Sequence, residues 1–181
     1  APPGACACCA MRAPFAGKGR RRIMYGAAKQ CSNRDMRLLV SADRGKTFEG
    51  TTVDPWRVGQ CPMSSVAIAA AKGSAWLAWE TNQHVHFQLA DPSKPRVTGR
   101  KSMVLSRRNA KHPVVVSNNQ GDVLLVWTEG TGWNRGGAVA WQVYDKDGEL
   151  VSGASGRRDG VGKWSFAAAF TRADGGFVII Y

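Results

Sequence analysis

The chain of 181 residues has no run of eighteen or more apolar residues, so nothing in it reads as a membrane-spanning helix. It shows no secretory leader, yet it opens Ala-Pro-Pro-Gly without a methionine, as a processed or truncated product does. Long amphipathic stretches are scarce, which argues against a helical protein; Gly 21 and Trp 7 favour short strands and tight turns. Acidic residues are few. Lys+Arg 25 stand against Asp+Glu 13, a formal charge of +12, and the first sixty residues hold eleven basic groups and four acids. Such a field draws a chain towards an anionic lipid surface, nucleic acid, an acidic glycan or an acidic protein, unless it is only a solvated basic rim. No C-x-x-C-H is present, which excludes the usual c-type haem attachment.

What is present begins with a turn. After the apolar run Met36 to Val40 comes Ser-Ala-Asp-Arg-Gly-Lys-Thr-Phe, with Ser41, Asp43, Gly45, Thr47 and Phe48 in the register S/T-x-D-x-G-x-x-W/F of an Asp-box. Asp43 can bind backbone N–H groups of its own turn, Gly45 can take a positive φ, and Phe48 is expected to fold beneath the turn as an apolar plug. Such a motif staples a fold and is not catalytic.

The chain also repeats. Three segments, Val66 to Trp79, Val114 to Trp127 and Phe166 to Tyr181, each run apolar strand, Gly-containing turn, apolar strand, aromatic end. A weaker copy ends at Tyr25, so the aromatic ends are spaced by 54, 48 and 54 residues. A period near fifty with about four strands per unit predicts β-propeller blades. The expected fold is all-β, a β-propeller of four-stranded antiparallel blades with about three and a half blades present. Blade one is set at 9–60, blade two at 61–108, blade three at 109–160 and the start of blade four at 161–181. Within them, Val85–Leu89, Lys101–Leu105 and Ala138–Tyr144 are expected strands, Asp91–Gly99 a loop and Asp145–Gly148 a hairpin turn. Three and a half blades leave sheet edges open, so the expectation is that the arc belongs to a longer, six-bladed chain or to an assembly that covers its edges.

The Cys6-Ala-Cys-Cys9 segment, the Asp-box and the Trp56-to-Ser65 run W-R-V-G-Q-C-P-M-S-S together resemble an exported bacterial branch of the sialidase-like, BNR-repeat propellers. The resemblance covers roughly the first 90 residues and implies the fold more firmly than an activity. It also implies that earlier blades precede the C-x-C-C segment. True sialidases use an arginine triad, a Tyr–Glu nucleophile pair and an acid/base carboxylate. Their F/Y-R-I-P motif is absent, and Tyr25, Tyr144 and Tyr181 lack the matching context.

Candidate chemistry is sparse. Cys6, Cys8, Cys9, Cys31 and Cys61 are read as disulfide formers, because the C-x-C-C cluster with the distant Cys31 and Cys61 does not repeat the C-x₂₋₄-C pairs that zinc ribbons and knuckles favour; an odd count leaves at least one thiol over. No metal is assigned: His84 and His86 share a strand face, and with Met11 and Met63 they hint at copper, but two histidines without a third ligand read as a polar face. Glu80 and Glu129 close equivalent strands at the expected channel mouth, and Arg12, Arg34, Arg37 and Arg135 are candidate anion binders. Lys18, Arg20, Arg21 and Arg22, with Arg107, Arg108 and Lys111, are candidate contacts for an acidic partner. They lack interleaved aromatics, which argues against a nucleic-acid partner. No cofactor is implied. The sequence thus reads as a non-catalytic, exported sialidase-like propeller, a binding or assembly module for another protein or subunit with an acidic surface, or for an acidic glycan. The alternative is an exo-α-sialidase-type glycoside hydrolase whose remaining residues lie in further blades.

Overall fold

In a computed structural model the described residues are 4–14, 19–29, 32–71, 73–105 and 109–181. Their regular structure is entirely β. Strands β1 (Met11–Arg12), β2 (Arg21–Gly26), β3 (Met36–Ser41) and β4 (Glu49–Asp54) form one antiparallel meander. A second comprises β5 (Val66–Ala71), β6 (Ser74–Thr81), β7 (His84–Ala90) and β8 (Val97–Leu105), and a third β9 (Ala110–Ser117), β10 (Val123–Glu129), β11 (Gly137–Tyr144) and β12 (Gly156–Val161). A hairpin of β13 (Ala168–Thr171) and β14 (Phe177–Ile180) follows. The first strands pack in sequence order, β1 on β5, β5 on β9 and β9 on β13, as the innermost strands of propeller blades do round an axis. The chain is an all-β propeller arc, as the repeat period predicts.

The second strands of blades two and three are buried on both faces, and their composition follows from that. In β6, Ala75, Leu77 and Trp79 face blade one with Met24, Met36 and Leu38, while Trp76 and Ala78 face blade three with Leu125 and Trp127. In β10, Leu124 and Val126 turn the other way, against Val161 and Ala167 towards blade four. Aromatic contacts knit the middle seam: Trp76 stacks on Phe87 at 4.8 Å, and Phe87 meets Tyr144 at 4.8 Å. The first seam also has a polar clasp, in which Asp54 of β4 accepts from Trp79 Nε1 at 2.8 Å and Thr81 Oγ1 at 2.6 Å.

Two boundaries differ from expectation. β8 starts at Val97, inside the loop expected to end at Gly99, because it pairs with Ala90 and Leu89 across a bulge. β12 lies in the polar segment Gly-Arg-Arg-Asp-Gly-Val, whose composition signals a loop; its exposed position as an outer strand allows that composition. The 145–148 turn is present, with Asp145 Oδ1 accepting from the N–H of Asp147 and of Glu149, each at 2.9 Å.

Candidate functional site

Strand direction divides the loops between two ends. The first-to-second strand connections, at 19–20, Gly73, 118–122 and 172–176, lie at one end; the starts of the inner strands and the ends of β6 and β10 lie at the other. At the second end is an open cavity of about 710 Å³, walled by β5, β9 and β13 and by the segments around Cys8, Met63, Thr131 and Trp164.

Glu80 at the end of β6 lines this cavity and is only 4% exposed. One carboxylate oxygen, Oε2, is buried without a hydrogen-bond partner, as is the nearby cavity-lining Ser65 Oγ. Burial pushes the Glu80 carboxyl up to about 7, against the opposing charge of Lys111 and a hydrogen bond from the His112 backbone N–H. Burial, with the Lys111 charge, holds the His112 ring down to about 4.

Aromatic side chains stand open at the rim. Trp133, Trp164 and Phe166 are 64%, 66% and 63% exposed, although each lines the cavity. The two indoles meet edge to face at 5.0 Å, and Phe166 makes the same kind of contact with His112 at 4.6 Å. Trp164 and His112 both hold left-handed backbone, at φ 61° and 52°, a conformation that bulky residues adopt only where surrounding structure imposes it. Arg12, Lys111 and Arg135 add positive charge to the lining, and Arg135 Nε donates to Gly130 O at 2.8 Å. The sequence reading missed the three aromatics. Their signal was present in a tryptophan within the Gly-Trp-Asn-Arg loop and another outside any apolar alternation.

The other candidates are distributed as follows. Glu129 ends its strand at the same end, but its carboxylate accepts from Trp127 Nε1 at 3.0 Å and Arg157 Nε at 3.1 Å, so it is not part of the cavity lining with Glu80. Arg37 Nη1 donates to Thr52 Oγ1 at 2.9 Å within blade one, and Arg34 lies beside the Cys6 thiol. Arg22, expected as a partner contact, is buried at 2% exposure and donates from Nη2 to Pro92 O at 3.1 Å and Gly73 O at 3.3 Å. It therefore fastens blade one to blade two. Arg20 and Arg21 lie at the end opposite the cavity, while Lys111 lines it. Lys18, Arg107, Arg108 and Cys31 lie outside the described residues. His86 stacks on Trp79 at 5.4 Å, with Nε2 3.9 Å from Asp54, and His84 Nδ1 is 2.8 Å from Asn82 O, so neither histidine joins Met11 or Met63.

In the 41–48 turn, Ser41 Oγ donates to Asp43 Oδ1 at 2.7 Å and accepts from Gly45 N at 2.8 Å. Asp43 in turn accepts from Thr47 N at 2.9 Å and Thr47 Oγ1 at 2.6 Å. The Thr47 hydroxyl and N–H, then the Ser41 hydroxyl, hold the Asp43 carboxyl well below the ordinary range. Gly45 has φ 92°. Phe48 folds back against the turn, its ring tip 3.9 Å from where a Cβ on Gly45 would stand, but at 39% exposure it is a partly open flap rather than a buried plug.

No disulfide joins Cys6, Cys8, Cys9 or Cys61; all four are free thiols, contrary to the pairing expected from the sequence. Ser64 Oγ lies 3.7 Å from Cys9 Sγ.

Solved structures that the chain resembles include several glycosidases. It superposes on NanB sialidase from Streptococcus pneumoniae, in its K499G form, with a TM-score of 0.53 and 12% identity over 87% of this chain and 25% of that one. An exo-β-1,3-galactanase from Clostridium thermocellum gives 0.53 and 12% over 93% of this chain and 40% of the other. The exo-β-1,3-galactanase of Phanerochaete chrysosporium, as an E208A form with β-1,3-galactotriose, gives 0.51 and 16% over 82% and 35%. The fold is that of the propeller glycosidases. This chain spans between a quarter and two fifths of those proteins' length. No sequence-family profile matches it, and no curated protein matches it in sequence. Among the described residues no helix is long and apolar enough to cross a membrane.

Proposed function

We propose that this propeller arc is an acidic-glycan-binding module of an exported protein, and that the cavity at the inner-strand starts is its binding face. The observation that carries the reading is the pairing of three exposed aromatic rings with three cationic side chains around one concavity. An exposed aromatic group at a concave site offers a flat apolar face for the C–H side of a sugar ring, and a guanidinium offers paired donors to a carboxylate. Arg12 and Arg135 supply the latter and Lys111 a point charge. Among the described residues Glu80 is the one carboxylate in the lining, and its raised affinity for a proton reduces the repulsion it exerts on an anion below neutral pH. Arg20, half-buried at the opposite end, is the candidate contact for a protein neighbour.

The test is titration of the chain with sialyllactose and with an oligogalacturonate, with lactose as the neutral control, followed by tryptophan fluorescence and calorimetry. Saturable binding of one or both acidic sugars, weakened by salt, is the expected result. Equal responses to lactose and sialyllactose, or none, would remove the reading.

A second reading has its own observation. A buried carboxyl held near neutral pKa inside a sugar-sized cavity has the property of a glycosidic general acid. Release of a sugar or chromophore from an acidic glycoside, abolished in Glu80→Gln while binding persists, would favour a hydrolase.

A further inference from the structure

A separate feature lies where the lead-in to β1 meets the connection from β4 to β5. The turn at 6–9 is closed by Cys9 N–H donating to Cys6 O at 3.2 Å, and Cys6 N–H donates to Gly26 O at 2.8 Å. Cys61 approaches from the Gly59-to-Ser65 segment. The Sγ atoms of Cys6, Cys9 and Cys61 all lie within 4.8 Å of one another. We infer that Cys6, Cys9 and Cys61, with Cys8 as a fourth ligand from the rim, form a site for a soft, thiophilic cation, copper(I) or zinc(II).

Several observations meet the requirements of such a site. Metal–thiolate bonds of about 2.3 Å place the sulfurs round one ion roughly 3.8 Å apart, so these three need move inward by less than about 1 Å. A disulfide, with sulfurs about 2 Å apart, would use two of the three and leave the third beside them. The surroundings are built for close approach. A Cβ on Gly26 would stand 3.2 Å from Cys9 Cβ and 3.5 Å from its Sγ, so only glycine lets Cys9 sit against β2. Ser64, 1% exposed, directs its hydroxyl at Cys9 Sγ, as an outer hydrogen bond to a ligand does. Arg34 places its charge beside Cys6, and its buried Nε has no hydrogen-bond partner; several thiolates on a monovalent or divalent ion carry net negative charge that this cation offsets. Cys6 is buried while Cys8 and Cys61 are exposed, which gives an ion a route in. All four donors are sulfur, the set that selects soft cations over calcium or magnesium. The ion would join the start of blade one to the entry of blade two and stabilise that seam by mass action.

The experiment uses the full chain, reduced and kept under argon, loaded in separate arms with copper(I) and with zinc(II), then desalted. Expected results are one ion retained per chain, a raised melting temperature, and at least three of the five cysteines shielded from alkylation. Retention of copper alone assigns three-coordinate binding, and retention of both with loss of zinc in Cys8→Ser assigns the four-sulfur site. Cys61→Ser, an exposed position, should lower retention at least tenfold with the metal-free melt unchanged, and Cys31→Ser should retain the ion. If Cys61→Ser alters the metal-free melt, the alkylation pattern of the unmutated chain decides instead. Retention of neither ion would overturn the inference. So would shielding of the same cysteines in metal-free protein whose intact mass shows them oxidised to disulfides.

Discussion

Replacing Arg22 by methionine separates two opposed accounts of the basic stretch before β2. As a partner contact, Arg22 would be dispensable to folding and needed for binding; as the buried clasp described above, it would be the reverse. Its Nη2 donates to Gly73 O and Pro92 O at 3.3 and 3.1 Å, with Asp91 O at the limit of 3.5 Å. Burial first, then repulsion from Arg20, lowers its proton affinity, and Asp91 acts against both. Methionine keeps most of the stem volume but leaves these carbonyls without a donor. Two charge-assisted bonds at about 1.5–3 kcal/mol each set a gross loss of roughly 3–6 kcal/mol. Part is returned because a buried cation no longer has to be desolvated, so a net loss of about 3 kcal/mol is expected. For a domain of this size that lowers the melting temperature by about 6–12 °C. Arg22→Lys should fall between, since an ammonium reaches one carbonyl rather than two. Thermal and urea melts are the assay, with acidic-sugar binding measured well below the melt. An unchanged midpoint with lost binding would refute the clasp.

The remaining predictions concern the cavity and the 41–48 turn. Glu80 binds its proton more tightly folded than unfolded, so its contribution is full below about pH 4.5 and is lost as pH rises to about 7; the range corresponds to roughly 3 kcal/mol. Glu80→Gln should remove that loss, read as the difference between the two proteins' stability curves over pH 5–8, because His112, whose proton affinity folding lowers, adds an opposing rise up to about pH 6.5 that both proteins share; a difference that stays constant with pH would show that another group causes the loss. By the same sign, acidic-sugar affinity should fall as pH rises through about 7, and the variant should lose this dependence. Trp133→Ala should weaken acidic-sugar binding at least tenfold with an unchanged melt, because the ring is 64% exposed; equal affinity by calorimetry would remove the rim from the site. Ser41→Ala removes a buried hydroxyl that accepts from Gly45 N–H and donates to Asp43, and should cost about 1–2 kcal/mol in a urea melt; no shift would mean that the turn is not a staple.

The blades were legible because their signal is local. Val123-Leu-Leu-Val-Trp127 is apolar at every position since β10 is covered on both faces, and the same pattern recurs at the same period in β6. Arg22 was not legible, because its partners Gly73 and Pro92 lie 51 and 70 residues away and nothing in the local sequence distinguishes a buried arginine from the basic residues beside it. The cysteines show the same limit. Spacing placed Cys6, Cys8 and Cys9 together, but only the packing of blade one on the entry to blade two brings Cys61 to them. The outer strand β12 escaped because an exposed edge needs no apolar residue to hold it.

The two glutamates show how far repeat alignment reaches before three-dimensional packing takes over. Glu80 directly follows Trp79, whereas Glu129 stands two places after Trp127, so the two differ in strand parity when the tryptophans are superposed. Glu80 shares a face with Trp76 and Ala78, which look forward from blade two; Glu129 shares one with Leu125 and Trp127, which look back from blade three. Both therefore point into the same seam. They part along its radius: β6 packs against inner strand β9, so Glu80 meets Lys111 and His112 at the cavity, while Glu129 is met from its own blade's outer strand by Arg157. A fixed cation holds Glu129 as a charged structural partner. Desolvation with no partner for one oxygen leaves Glu80 close to the point of protonation, and in the binding role proposed above it is the carboxylate of the two that would respond to a ligand.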